Sequence, residues 1–211
     1  MKSACIKAAK RRGLWRDETG SVFLEFTVTL PVFFLLLFGA IETGLLFYQW
    51  NIATKAVQLG ARIAAVSNPV SSDLATLNGL EDGRLPGDPM LDFDRICNGL
   101  TQSCTGGDYN PDAMATLVYG PGNGACQQAT TNIGMCNVYA GIEPKNVVVR
   151  YQYTGLGYAG RPGGPVPTIT VSLQDIEFDF VVLDSLLGLG PVAMPSLRTT
   201  ITGEDLKGSG G

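Results

Sequence analysis

The sequence predicts an α+β protein in which one long N-terminal helix, apolar enough to cross a bilayer, continues into an antiparallel sheet. Three observations carry that expectation. Residues 26–48 form an apolar run whose only charge is Glu42. From residue 146 onward, apolar and polar residues alternate as in half-buried strands. Between the two lies a stretch rich in Gly, Pro, Asn and Asp that holds four of the five cysteines. At 211 residues, the chain has room for one compact domain plus an anchor.

Residues 1–20 form a basic leader. They carry six cations (Lys2, Lys7, Lys10, Arg11, Arg12, Arg16) against Asp17 and Glu18, although the whole chain has a net charge of −4. A basic leader, an apolar span and an acidic remainder predict a single-pass membrane protein with its N-terminus in the cytoplasm. A nucleic-acid-binding arm is the other reading of a basic leader, and the apolar run directly behind it favours topology. The run is too long for a secretory h-region and lacks a small-x-small cleavage site at its far end.

Helical character extends past the span. In QWNIATKAVQLGARIAAV, Ile52, Ala56, Leu59, Ile63 and Val66 repeat at spacings of four and three. Ala56, Gly60 and Ala64 make a row of small residues that lets another helix approach closely. That partner is either a helix of another subunit or the chain's own domain. One helix over residues 21–66 is expected, with its transmembrane part at about 26–48. It should be ended by Asn68-Pro69 and bent or accommodated at Pro31.

Residues 67–145 are dense in turn signals (SNP, EDG, LPGDP, YNPD, YGPGNG) and read as a loop-rich region with short elements. Four cysteines there, Cys97, Cys104, Cys126 and Cys136, suggest disulfides in an oxidising compartment. They permit three pairings, of which Cys97–Cys104 and Cys126–Cys136 close the shortest loops. A four-cysteine zinc site is the rival, but the spacings are wider than zinc knuckles use. Cys5 belongs to the leader. The string Gly120-Pro-Gly122-Asn-Gly-Ala125 fits a loose dinucleotide pattern, yet it lacks the βαβ unit that chemistry needs and reads as a surface loop. Asp88, Asp92 and Asp94 lack calcium-loop spacing and read as a solvated acidic loop.

Residues 146–205 are strand-rich. In NVVVRYQYTG, Val147, Val149, Tyr151 and Tyr153 share a face. In PTITVSLQDIEFDFVV, the apolar phase flips between Leu173 and Ile176, so a bulge or turn is expected near Gln174-Asp175. LDSLLG reads as one helical turn, PSLRTTITGED as a last strand, and residues 206–211 as a flexible tail.

The chain contains no histidine, which removes histidine bases, Ser-His-Asp and Cys-His constellations, and histidine metal sites. No nucleophile–base pair is legible, so catalysis, a cofactor and a small-molecule substrate are not expected. The unusual residue is Glu25, a carboxylate at the mouth of the apolar run, where a charge needs a partner. If the chain is cut after Gly20, Ser21 becomes an amino terminus and Glu25 the fifth residue after the cut. A carboxylate and an amine, from one chain or two, can then neutralise each other.

The segment G-SVFLEF, with Glu fifth and an aromatic sixth after the glycine, resembles the processing site of type IV-related prepilins. Residues 20–66 as a whole resemble the TadE-like family of minor pseudopilins of the tight-adherence (Flp) pilus. The resemblance is carried by Gly20, Glu25-Phe26, Leu30-Pro31, Phe38-Gly39, Glu42, Gly44, Asn51, Thr54 and Gly60-Ala61-Arg62. It covers about a fifth of the chain. It implies cleavage by a prepilin peptidase between Gly20 and Ser21, with Glu25 and Phe26 part of the processing signature. It also implies an inner-membrane helix packed among lipid and other pilins, and a pilin-like domain in the periplasm. The function implied is assembling or priming the pilus rather than forming its bulk, since the major subunits of this system are much shorter; TadG-like relatives share the N-terminal signature but are usually longer, and the neighbouring TadF-like group is a further alternative. The alternative from another class is an uncleaved membrane-tethered periplasmic binding module or adhesin, which would tolerate Glu25→Ala. For Glu42, two readings stand: snorkelling to the interface or pairing with a helix of another subunit.

Overall fold

The computed structural model of the protein describes residues 21–126, 131–188, 190–203 and 206. The leader, including Cys5 and Gly20, lies outside them. The first element, α1, is a single α-helix over Ser21–Val66 that passes through Pro31 without a break. At ~1.5 Å per residue it is roughly 70 Å long. Proline at 31 has no N–H to give the carbonyl of Thr27. Four polar side chains along the helix bond back onto it. The hydroxyls of Thr27, Thr43 and Thr54 donate to the carbonyls of Phe23, Gly39 and Trp50, and the Asn51 amide donates to Phe47, at 2.7–2.9 Å.

The two ends of α1 have different surroundings. From Val22 to Ile41 no described side chain is buried, and Phe23 and Val22 are about three-quarters exposed. The first buried residue is Glu42. Beyond it, Ala53, Ala56, Val57, Gly60, Ala61, Ala64 and Ala65 are buried against the rest of the chain.

The domain is built on a five-stranded antiparallel sheet of order β2-β1-β3-β4-β7. Its strands are β1 (Asp94–Asn98), β2 (Ser103–Cys104), β3 (Val147–Gln152), β4 (Thr168–Leu173) and β7 (Arg198–Thr202). A separate pair, β5 (Glu177–Phe178) with β6 (Val192–Ala193), lies off the main sheet. The central register places Val149 opposite Val171 and Tyr151 opposite Ile169. Because strand side chains alternate, Val147, Val149, Tyr151, Ile169, Val171 and Leu173 all turn to one buried face. That face is covered by the distal half of α1, which packs on β4 and β7, together with α2 (Pro111–Tyr119) and α3 (Met135–Val138). The opposite face is polar: Arg150 pairs with Asp94, and Thr170 bonds Thr200 across the strands. One wet and one dry face is the usual economy of an antiparallel sheet.

Residues 67–145 hold short elements between loops: they add β1 and β2 to the main sheet and supply α2 and α3. Two details differ from the sequence expectation. The YNPD string, read as a turn, starts a helix. The Asn110 side chain accepts from the N–H groups of Asp112 and Ala113, and Pro111 occupies the first turn. Downstream of β4, the second apolar phase does not continue as one strand. Asp175 takes a left-handed φ of 54°, the chain leaves the sheet, and β5, α4 (Val182–Leu187) and β6 form a small lobe.

Cysteines pair as Cys97–Cys104, bridging neighbouring strands β1 and β2, and Cys126–Cys136, tying the loop after α2 to α3.

Candidate functional site

Glu42 was not expected to matter to its own chain, and here the structure corrects both sequence readings. Its carboxylate neither reaches outward nor waits for another subunit. Oε1 accepts the backbone N–H groups of Val181 and Val182 at 2.7 and 2.5 Å, and Oε2 accepts that of Leu183 at 3.0 Å. These are donors at the first turn of α4, which a helix cannot satisfy internally. They lie at the positive end of its dipole, where a carboxylate is favoured. Glu42 is 5% exposed. The contact spans roughly 140 residues of sequence, which is why no local pattern announced it. The signal available was a lone acid in an apolar helix together with the short helical turn in LDSLLG.

Glu25 has the opposite environment. It is exposed on the uncovered part of α1, and among the described residues no hydrogen bond or ion pair holds its carboxylate. Phe26 beside it is 61% exposed. The other half of the expected processing site, Gly20, lies outside the described residues. Ser21 is the first residue of α1, four positions before Glu25 and so on the same helix face.

The small-residue row sits deep in the fold. Ala56 and Ala64 are fully buried, and a Cβ added to Gly60 would overlap the side chain of Met135 in α3. The close helix approach that the row permits is thus made by the chain's own α3. Of the larger stripe, Ile52, Leu59 and Ile63 are half-buried and Val66 is exposed. Around the buried Glu42, the glycines of the resemblance are uncovered: a Cβ on Gly39 or Gly44 would meet nothing within 4 Å.

Elsewhere the charged and polar groups serve the fold. Asp94 is held by Arg150, and that guanidinium keeps its carboxyl below the usual carboxylate range. Asp88 accepts the N–H of Leu85 within its own turn. Asp73 accepts from Arg95 at 2.9 Å and from the Ser71 hydroxyl. The hydroxyl oxygen of Tyr151 accepts the buried N–H of Val70 at 3.0 Å, and full burial pushes the phenol well above its ordinary range. A cleft of about 420 Å³ beside the end of α1 includes Ser67, Asn110, Asp112 and Thr116. Among the described residues, the buried Ser67 hydroxyl there has no hydrogen-bond partner. Among the described residues, no group of three or more His, Cys, Asp or Glu is placed to hold a metal ion.

The arrangement therefore offers an apolar helix long enough to cross a membrane, with one acid satisfied by the domain and one left open. No curated protein and no solved structure matches the chain. The family model described as TadE-like protein matches residues 20–62. That match covers Glu25, the uncovered apolar half of α1, Glu42 and the packed glycine at 60: over this segment the chain carries the TadE-like signature that its sequence resembles.

Proposed function

We propose that the chain is a minor pseudopilin acting in assembly of a tight-adherence (Flp, type IV-related) pilus. In this reading α1 anchors it in the bacterial inner membrane, with the leader in the cytoplasm and the disulfide-bonded sheet domain in the periplasm. A prepilin peptidase cuts between Gly20 and Ser21, and the mature helix then packs among those of other pilins. The TadE-like match supports a role connected with the Tad pilus.

The observation that carries the proposal is Glu25: an exposed carboxylate at the head of an uncovered apolar helix, with no partner among the described residues. A charge in that place is costly unless an opposite charge meets it. Cleavage at Gly20–Ser21 creates an amine one helical turn away, and neighbouring subunits would bring others. The two disulfides support an oxidising compartment for the domain. No step of covalent chemistry is assigned to the protein.

The test is the N-terminal mass and sequence of the protein taken from its native membrane, with the peptidase present and absent. A start at Ser21 only when the peptidase is present is expected. A start at Met1 in both cases would contradict the proposal and leave the chain an uncleaved, membrane-tethered binding module or adhesin.

A further inference from the structure

The lobe formed by β5, α4 and β6 has an apolar surface without cover. Val181 is 75% exposed and Leu186 61%, and Leu187 and Val192 are about half exposed. The lobe is fastened to α1 at Glu42. The rest of the domain meets the helix further along, Tyr139 at Gln49 and Met135 at Gly60. The lobe is thus the part of the domain attached nearest the uncovered end of α1.

Length fixes where that boundary falls. Residues 21–41 have no described buried side chain and at ~1.5 Å per residue span roughly 30 Å, the thickness of a bilayer's hydrocarbon core at about 30 Å. Glu42 follows at once, with its charge tucked under the α4 N–H groups. Resting on the reading of α1 as a membrane span, the geometry points to the β5-α4-β6 lobe as a second membrane contact. It lies in the outer interface of the same bilayer, with Val181, Leu186, Leu187 and Val192 against lipid. The hydrocarbon span is then 21–41, shifted from the 26–48 expected from hydropathy, and Glu42 marks its outer limit. The contact is apolar in character. No Lys or Arg occurs between residues 175 and 197, whereas Glu177, Asp179 and Asp184 do, so attraction to anionic lipid plays no part.

The test uses the full chain reconstituted in phosphatidylcholine vesicles, with Trp15 and Trp50 replaced by Phe and one tryptophan introduced at a time. Quenching by lipid brominated near the headgroup is compared with quenching by aqueous acrylamide. Leu187→Trp, and independently Leu186→Trp, should lose several-fold more emission to the brominated lipid than Leu100→Trp, which lies in the β1–β2 turn at the sheet edge away from α1. Phe33→Trp, read with lipid brominated deep in the acyl chains because position 33 lies near the middle of the span, reports on the span itself. If Phe33→Trp is quenched by lipid while both lobe positions respond only to acrylamide, the lobe contact is overturned, and its apolar face belongs to a partner subunit. If Phe33→Trp also escapes lipid, the membrane reading of α1 fails, and the lobe proposal falls with it.

Discussion

Gly39 and Gly60 lie on the same helix, yet a Cβ on Gly39 would stand in open space while one on Gly60 would run into Met135. Glu25 and Glu42 repeat the contrast: the first carboxylate has no partner among the described residues, and the second takes three backbone N–H groups from α4. The composition is apolar on both sides of the divide, so hydrophobicity does not separate the halves. Partner supply does. The distal half is saturated by the sheet, α3 and the lobe. The proximal half leaves its small residues, its aromatic rings and its acid to whatever surrounds it. On the proposed reading those surroundings are lipid and the helices of other subunits. Changes in the proximal half should therefore touch assembly and spare the domain. Changes in the distal half should do the reverse.

The largest effect expected is on assembly. Glu25→Ala should abolish pili on cells, counted by electron microscopy, while the purified domain unfolds at an unchanged denaturant midpoint. Pili at normal number would break the comparison at its proximal end. Next comes reduction of the domain. The disulfides join cysteines 7 and 10 residues apart, and closing loops of that size contributes about 2–3 kcal/mol each. Reductant should lower the urea midpoint by the corresponding amount without shortening α1 as seen by circular dichroism.

A paired substitution sharpens the contrast further. Gly60→Val must displace Met135 in a filled site and should cost roughly 1–3 kcal/mol, whereas Gly39→Val should leave domain stability as it is. Equal effects in urea titrations would mean that the two halves are not distinct. The most conservative change is Tyr151→Phe, which strands the Val70 N–H in the core at a cost of about 1–3 kcal/mol. It also alters the alkaline limb. Burial raises the Tyr151 phenol in the folded protein, so the folded state keeps a proton that the unfolded state releases near pH ~10. Stability is full below that pH and falls as pH rises through it. Tyr151→Phe should remove that part of the fall, read as a flatter midpoint-against-pH curve above pH ~10.

Much of the scaffold was legible because its signals are local. The apolar run, the stop at Asn68-Pro69, and the period-two faces of Val147–Val149–Tyr151 and Ile169–Val171–Leu173 each sit within a few residues. The phase flip at Gln174–Asp175 is also local, and the left-handed Asp175 realises it. What stayed hidden depends on distant partners or on residues with two uses. Asn110-Pro111 suits a turn and a helix start equally well, and only the buried Ala113, Met114, Leu117 and Val118 behind it decide for α2. Strand β1 has one buried side chain, Cys97, in its five residues, too few for an alternation to show. The Glu42–α4 clasp joins residues about 140 apart in sequence, and neither the lone acid nor the helical turn in LDSLLG names its partner on its own.

The most direct test of the contrast is amide hydrogen exchange at Val181, Val182 and Leu183 in the full-length protein, compared between Glu42→Ala and Glu25→Ala. The account requires these three amides to lose protection in Glu42→Ala and to keep it in Glu25→Ala, with the sheet amides slow in both. Unchanged protection in Glu42→Ala, or an equal loss in both variants, would contradict the division of α1 into a half that serves its own fold and a half that serves other molecules.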